Sequence, residues 1–254
     1  QITIIVTLIL MITVNILANA LPINGLDTGE ISDSFDVFFV PAGYVFSIWG
    51  LIYVALIAFT IYQALPSQKD NPRITRAALP IVIGNLANTA WIFAWHYEQF
   101  ALSMLIMVVL LISLIWTYQS LSVRQARVSR GEFWAVQVPF SIYLGWITVA
   151  TVANATSLLD YLNWGAWGIA PQTWAAIMLA VASVIATLMA ITRRDAAYLA
   201  VLVWAFVGIA VKFPNEPLVN ASAWIAAGYS AALLLLSLFW SIRGRRSEQA
   251  VPAS

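Results

Sequence analysis

Long apolar runs alternate along the chain with short joints that contain prolines and charged residues. A membrane-spanning helix needs about 20 apolar residues at a rise of about 1.5 Å per residue. Eight runs are long enough, and they lie near 2–21, 42–64, 75–96, 100–121, 133–157, 173–192, 195–213 and 219–242. The pattern therefore predicts an all-α integral membrane protein with about eight transmembrane helices.

The composition agrees with this interpretation and excludes several kinds of site. The chain is 62% hydrophobic and 9% charged, and its mean hydropathy is +0.86. It has no cysteine and a single histidine, so disulfides, thiolate metal sites and multi-histidine metal centres are excluded. The net charge of +1 argues against nucleic acid as a partner. The first segment lacks the features of a signal peptide, so we expect it to be a retained helix.

The charged residues separate onto two sides of the predicted bundle. Eleven of the 12 lysines and arginines fall in loops of one side, and Lys212 is the exception. Loops of the other side are acidic, with Asp27, Glu30, Asp33 and Asp36 in the first of them. Since cytoplasmic loops are enriched in lysine and arginine, we expect both termini to lie in the cytoplasm. The spans themselves lack the ionisable residues of coupled carriers and pumps, which argues against coupled active transport.

Aromatic and amide side chains converge on the half of the bundle near the acidic loops, the predicted outer leaflet. The fifth span contains YLGWITVATVAN at 143–154, and helical spacing places amides and rings of the first three spans at a similar depth. These residues are Asn15, Asn19, Trp49, Tyr53, Asn85, Asn88, Trp91, Trp146 and Asn154. Such a set suits a large, flat, mostly apolar ligand with polar edges. Interhelical hydrogen bonding and an interfacial aromatic belt are the alternative explanations.

Two titratable residues suggest other functions, heme binding and retinal binding, that have to be weighed. His96 could be an axial heme ligand, but its position beside a short outer loop favours an exposed histidine. Lys212 ends the seventh span and is followed at once by Phe213 and Pro214. A retinal Schiff base needs a lysine in the middle of a helix, so we consider a retinal protein improbable.

Three motifs resemble the translocator protein, or tryptophan-rich sensory protein, family (TspO/MBR). They are PAGYVFSIWGLIY at 41–53, NTAW at 88–91 and YLGWITVATVAN at 143–154. The resemblance implies a five-helix bundle over 1–158 whose cavity, near the loop between the first two helices, binds porphyrins or other hydrophobic ligands such as sterols. By motif position it implies a lining of Trp49, Tyr53, Asn88, Trp91, Trp146, Ala150 and Asn154, with Asn85 on the same face. It also implies homodimers and, for some members, light-driven porphyrin breakdown.

The chain departs from that family pattern in three places. Ile142 stands where the family usually has proline, and Pro139 lies three residues earlier, so a helix kink is expected at a different height. The first loop is acidic, which disfavours ligands that carry carboxylates. Residues 159–254 add three spans and a cytoplasmic tail, with Ala223, Ala227 and Ala231 forming a stripe suited to close helix packing.

The leading functional prediction is a bacterial inner-membrane sensor or translocator that binds a tetrapyrrole (porphyrin or heme-like) or an isoprenoid such as a carotenoid. One alternative is a structural subunit that docks into a larger membrane complex, such as a photosynthetic or respiratory one. Another is an enzyme that photo-oxidises a bound porphyrin with Trp49 and Trp146 as electron relays, although no acid–base pair or metal site supports ordinary catalysis. Besides that ligand, the expected partners are the lipid bilayer and a second copy of the chain.

Overall fold

The computed structural model describes residues 1–21, 23–126 and 128–249, without the side chains of 242–249. All regular elements within this part are helical. The α-helices are α1 Ile2–Ala20, α2 Thr28–Asp33, α3 Ile48–Ala64, α4 Pro72–His96, α5 Phe100–Ser120, α6 Arg130–Glu132, α7 Val138–Tyr161, α8 Pro171–Thr192, α9 Ala196–Lys212 and α10 Pro217–Gln249. Pro22 and Arg127, which the sequence assigned to joints, lie outside the described residues.

Seven segments of the described chain are long and apolar enough to cross a membrane. They are Ile2–Ala20, Gly43–Ala64, Pro72–His96, Phe100–Ser120, Arg130–Tyr161, Pro171–Thr192 and Pro217–Ser241. The remaining apolar helix, α9, has 17 residues and stands at the short end of the range that spans a bilayer. The predicted all-α membrane fold is confirmed, and α9 is the shortest of the eight apolar segments in the described chain when the second is counted from Gly43.

Helices α4 and α7 form the centre of the bundle, because they are the most buried of the membrane-spanning helices. Helices α1 and α5 pack on α4, and α3, α5 and α9 pack on α7. The outer helix faces carry large apolar side chains such as Ile2, Val54 and Ile61, as expected where lipid replaces water. The alanine stripe is also internal, since Ala223 and Ala227 on α10 are buried.

A π-helical turn, Phe133–Gln137, leads into α7. Pro139 has no backbone N–H to give to the residue four positions earlier, and the wider turn accommodates that loss. Beyond it, α7 continues as an α-helix from Val138 to Tyr161. The irregular part of the backbone therefore lies before Ile142, next to Pro139.

Helix α9 is joined by two hydrogen bonds to the backbone at the start of the second span. The N–H of Ala42 donates to the carbonyl of Gly208 on α9 at 3.1 Å. The Trp204 indole Nε1 donates to the carbonyl of Val45, also at 3.1 Å. A β-carbon at Gly208 would lie 2.2 Å from Val45 Cγ2, so only glycine permits this approach. Helix α9 is thus an integral part of the bundle.

Candidate functional site

Residues 23–47, which we call the cap segment, fold over one end of the bundle. This end also contains the connections 97–99, 162–170 and 213–216, and we call it the acidic end because most of its charges are carboxylates. The cap segment includes α2 and a 3₁₀ turn, Gly43–Ser47, that leads into α3. It therefore brings polar and aromatic side chains over the open ends of α4 and α7.

A small cavity of about 40 Å³ lies beneath the cap segment. The helices contribute Trp49, Trp91, Trp95, Trp146, Val149, Ala150, Ala153, Asn154 and Ser157 to its lining, and the cap segment contributes Thr28, Ser32, Val40, Pro41 and Phe46. Five predicted site residues therefore line a single space: Trp49, Trp91, Trp146, Ala150 and Asn154. Pockets for small molecules usually measure roughly 300–1,000 Å³, so this one must expand before it can hold a large ligand.

The walls of the cavity are flat and aromatic. Trp49 and Trp146 meet edge to face with centroids 6.2 Å apart, and Phe46 packs on Trp146 in the same way at 5.8 Å. Tyr53 lies one helical turn beyond Trp49 and stacks on it at 5.6 Å, so it supports that wall. On the α4 side, Trp91 stacks on Trp95 at 5.5 Å. Such rings offer an apolar surface on which a planar molecule can stack.

Two indole groups of the cavity have unsatisfied hydrogen-bond donors. Trp91 and Trp146 are buried, and neither Nε1 has a hydrogen-bond partner. Asn154 differs, since its amide exchanges hydrogen bonds with the Ser103 hydroxyl on α5 at 3.2 and 3.4 Å. A buried donor without an acceptor costs free energy, and native proteins contain few of them. The two indoles are therefore places where a ligand acceptor would be stabilised.

His96 fastens the cap segment to the bundle, and the expectation of an exposed loop histidine is wrong. It is the last residue of α4 and is fully buried, because the cap segment covers it. Its Nδ1 lies 3.1 Å from the carbonyl of Ile23, and its Nε2 lies 3.1 Å from the hydroxyl of Thr28. Since a carbonyl only accepts, Nδ1 donates to Ile23, and in the neutral ring Nε2 accepts from Thr28. The Trp95 indole adds a third bond, to the carbonyl of Thr28 at 3.3 Å.

Carboxylates stabilise the cap segment internally and also join it to neighbouring helices. Asp27 and Glu30 form a capping box at the start of α2. Asp33 makes an ion pair with Lys212, which ends α9. The backbone N–H of Asp36 donates to the Asp160 carboxylate at 3.3 Å. These contacts tie the cap segment to the ends of α7 and α9.

Asn85 and Asn88 form hydrogen bonds between helices and are not among the residues that line the cavity. Asn88 accepts from Asn15 on α1 at 2.7 Å and donates to the Tyr143 hydroxyl on α7 at 2.9 Å. Asn85 donates to the Thr7 hydroxyl at 3.1 Å. A ligand-binding role for these two amides stays a prediction, while their positions show how three helices are held in register.

Sequence patterns missed most of the cap residues of the cavity. Thr28 and Ser32 lie in the six-residue helix α2, and Val40 lies in the loop that follows it. This part of the sequence has no hydrophobic periodicity, so no pattern placed these residues over α4. Among the cap residues of the cavity, only Pro41 and Phe46 belong to a recognisable motif, the one at 41–53. Among the described residues, no group of three or more histidine, aspartate or glutamate side chains is arranged to hold a metal ion.

Comparison with known proteins yields one match, to a family model described as TSPO-like protein. The match covers residues 1–239 and so includes the helices beyond residue 158. No curated protein and no solved structure matches the chain. The predicted division into domains at residue 158 stays a prediction.

Proposed function

The chain belongs to the TSPO-like protein family and is a multi-pass membrane protein of the TspO type, and we propose that its aromatic cavity binds a tetrapyrrole. The observation that carries the proposal is the pair of buried indole donors, Trp91 and Trp146, in a lining that is otherwise mostly apolar. A planar macrocycle would stack on the tryptophan walls, and its polar edge atoms would accept from the two indoles.

The same donors favour a tetrapyrrole over a carotenoid. A hydrocarbon chain offers no acceptor, so it would leave both indole N–H groups unsatisfied in a site that excludes water. The acidic cap segment is less repulsive to carboxylates than its composition suggests, since Asp33 is paired with Lys212 and Asp27 accepts from the amides of Gly29 and Glu30. The chemistry of the cavity thus supports a ligand with a large apolar face and a few acceptors.

The small volume of the cavity implies that binding requires movement of the cap segment. The space beneath it is about 40 Å³, far below what a macrocycle occupies. The cap segment provides one side of the lining and, apart from the backbone bond from Ala42 to α9, its contacts with the helices described above are side-chain bonds. The other sides of the cavity belong to continuous helices. We infer that the ligand enters at the acidic end and that its arrival displaces the cap segment, as a sensor or the receiving step of a translocator requires.

Protoporphyrin binding tests the proposal directly. Titration of the purified protein in detergent should quench tryptophan fluorescence with saturation. Trp146→Phe and Trp91→Phe keep an aromatic ring but remove the donor, and each should weaken binding by about tenfold, the effect of one lost hydrogen bond to a charged or strongly polar acceptor. Trp116→Phe is the matched control, because Trp116 is exposed on the outer face of α5.

Two results would contradict the proposal. The first is the absence of saturable quenching with protoporphyrin or heme. The second is a carotenoid that binds as tightly as the porphyrin and is indifferent to both phenylalanine variants, since the indole donors would then have no part in recognition.

A further inference from the structure

An open groove of about 710 Å³ lies at the opposite end of the bundle, which we call the basic end. Arg124 follows α5, Arg130 begins α6, and Arg193 with Arg194 connects α8 to α9. All four line the groove, together with Trp134 and with Trp240 of α10. Four arginines from two separate connections therefore border one space among the helix ends.

The groove has an excess of positive charge. Within the described residues, the two ion pairs are Arg73 with Glu132 and Lys212 with Asp33, so none of the four arginines takes part in one. The carboxylate of Asp195 lies in an adjoining pocket of about 190 Å³ that Arg124 also lines. Its Oδ2 already accepts from the hydroxyls of Tyr118 at 2.7 Å and Ser141 at 2.6 Å. The single negative charge of Asp195 therefore balances only part of the positive charge of the four arginines.

The protein holds the guanidinium groups of Arg124 and Arg194 in place and leaves each of them with N–H donors for a ligand. Arg124 Nη2 donates to the carbonyl of Arg194 at 3.0 Å and to the hydroxyl of Ser241 at 2.8 Å. The Arg194 guanidinium lies over the ring of Trp240, 5.7 Å from its centroid. A guanidinium has five N–H donors, so each group retains several for a ligand. Fixed arginines are the side chains that best recognise phosphate oxygens.

We propose that this groove binds the phosphate headgroup of an anionic phospholipid. The groove lies where apolar spans end, so a lipid seated there would keep its acyl chains beside the helices. Trp134, two-thirds exposed, and Trp240 supply the indole groups that favour the membrane interface. Basic pockets between the ends of transmembrane helices bind such headgroups for these reasons. The site is separate from the aromatic cavity and does not depend on the function proposed for it.

Phospholipid binding to the full-length protein in detergent tests the proposal. Thermal unfolding is followed while phosphatidylglycerol, phosphatidylcholine or soluble glycerol phosphate is added, since a ligand that binds the folded state raises the unfolding temperature. We expect saturable stabilisation by phosphatidylglycerol. Arg130→Gln and Arg194→Gln should each weaken it by about fivefold, and the double variant by about 25-fold. Arg76→Gln is the matched control, because Arg76 is exposed at the basic end but lies outside the groove.

Three outcomes would overturn the proposal. Equal stabilisation by phosphatidylcholine would show that the negative headgroup is not recognised. If Arg76→Gln weakened phosphatidylglycerol binding as much as the two groove variants do, the binding would depend on the overall charge of the basic end and not on the groove. Stabilisation by glycerol phosphate at the same concentration as the lipid would assign the groove to a soluble phosphate instead.

Discussion

Replacing His96 by leucine should open the cap segment. Leucine is apolar and similar in size, so the substitution removes both ring nitrogens without leaving a large void. The carbonyl of Ile23 and the hydroxyl of Thr28 then lose their partners in the closed state. In the open state both groups face water at the membrane surface, and the substitution costs little there. The closed state is therefore selectively destabilised.

The size of the effect follows from the two bonds. A neutral hydrogen bond contributes about 1 kcal/mol net, so the pair contributes about 2 kcal/mol and its loss should raise the open population roughly 30-fold. Thr28→Val removes only one of the bonds and should raise it roughly fivefold. Since apparent affinity rises with the binding-competent fraction, protoporphyrin should bind these variants more tightly and associate faster. A higher affinity for protoporphyrin after these contacts are removed would show that the cap segment controls access to the cavity.

Amide hydrogen exchange measures the opening directly. Exchange of α2 amides, residues 28–33, should accelerate about 30-fold in His96→Leu and about fivefold in Thr28→Val. Amides of α8, which lie outside the cap segment, provide the internal control. Protoporphyrin association is then measured on the same samples.

The reasoning fails if α2 exchange is unchanged in both variants, since His96 would not be holding the cap segment. It also fails if exchange accelerates while porphyrin association stays the same or slows. In that case the cap segment opens, but the ligand does not pass beneath it.

Four further substitutions test the packing of the bundle. Asn88→Ala removes two interhelical hydrogen bonds and should lower the free energy of unfolding in mixed micelles by about 1–3 kcal/mol; an unchanged value would show that the network contributes nothing. Gly208→Ala places a methyl group against Val45 and should cost about 1–3 kcal/mol, whereas Gly228→Ala meets open space and should be neutral or stabilising by up to about 1 kcal/mol. Asp195→Ala leaves two buried hydroxyls and the start of α9 without their acceptor and should lower the thermal unfolding temperature, with a cost of roughly 3 kcal/mol.

Hydrophobic runs predicted the spans because a bilayer requires about 20 apolar residues and leaves few other solutions. The predicted ends of the second span, 42–64, agree closely with Gly43–Ala64. The three motifs also identified the family and five residues that share one cavity. Trp49 and Trp146 could be matched because helical spacing and predicted depth are geometric quantities that a sequence contains.

The cap segment could not be predicted in the same way. Its residues make contacts that depend on where an irregular chain folds back, and no periodicity encodes that path. His96 shows the consequence, since a histidine beside a short loop is usually exposed but here lies under residues that come 68 and 73 positions earlier. The partners of Asn88 were hidden for a related reason: spacing identifies a helix face, but not which of the neighbouring helices it meets.

The joint between α9 and residues 42–45 has a consequence for biogenesis. Helices enter the membrane in chain order, so the second span is in the bilayer long before α9 has been synthesised. Until then, the N–H of Ala42 and the carbonyl of Val45 lack their partners on Gly208 and Trp204. The N-terminal half is therefore incomplete until α9 inserts, because residues 42–45 beside the cavity are still uncovered. Insertion of α9 then completes both the bundle and this side of the cavity entrance.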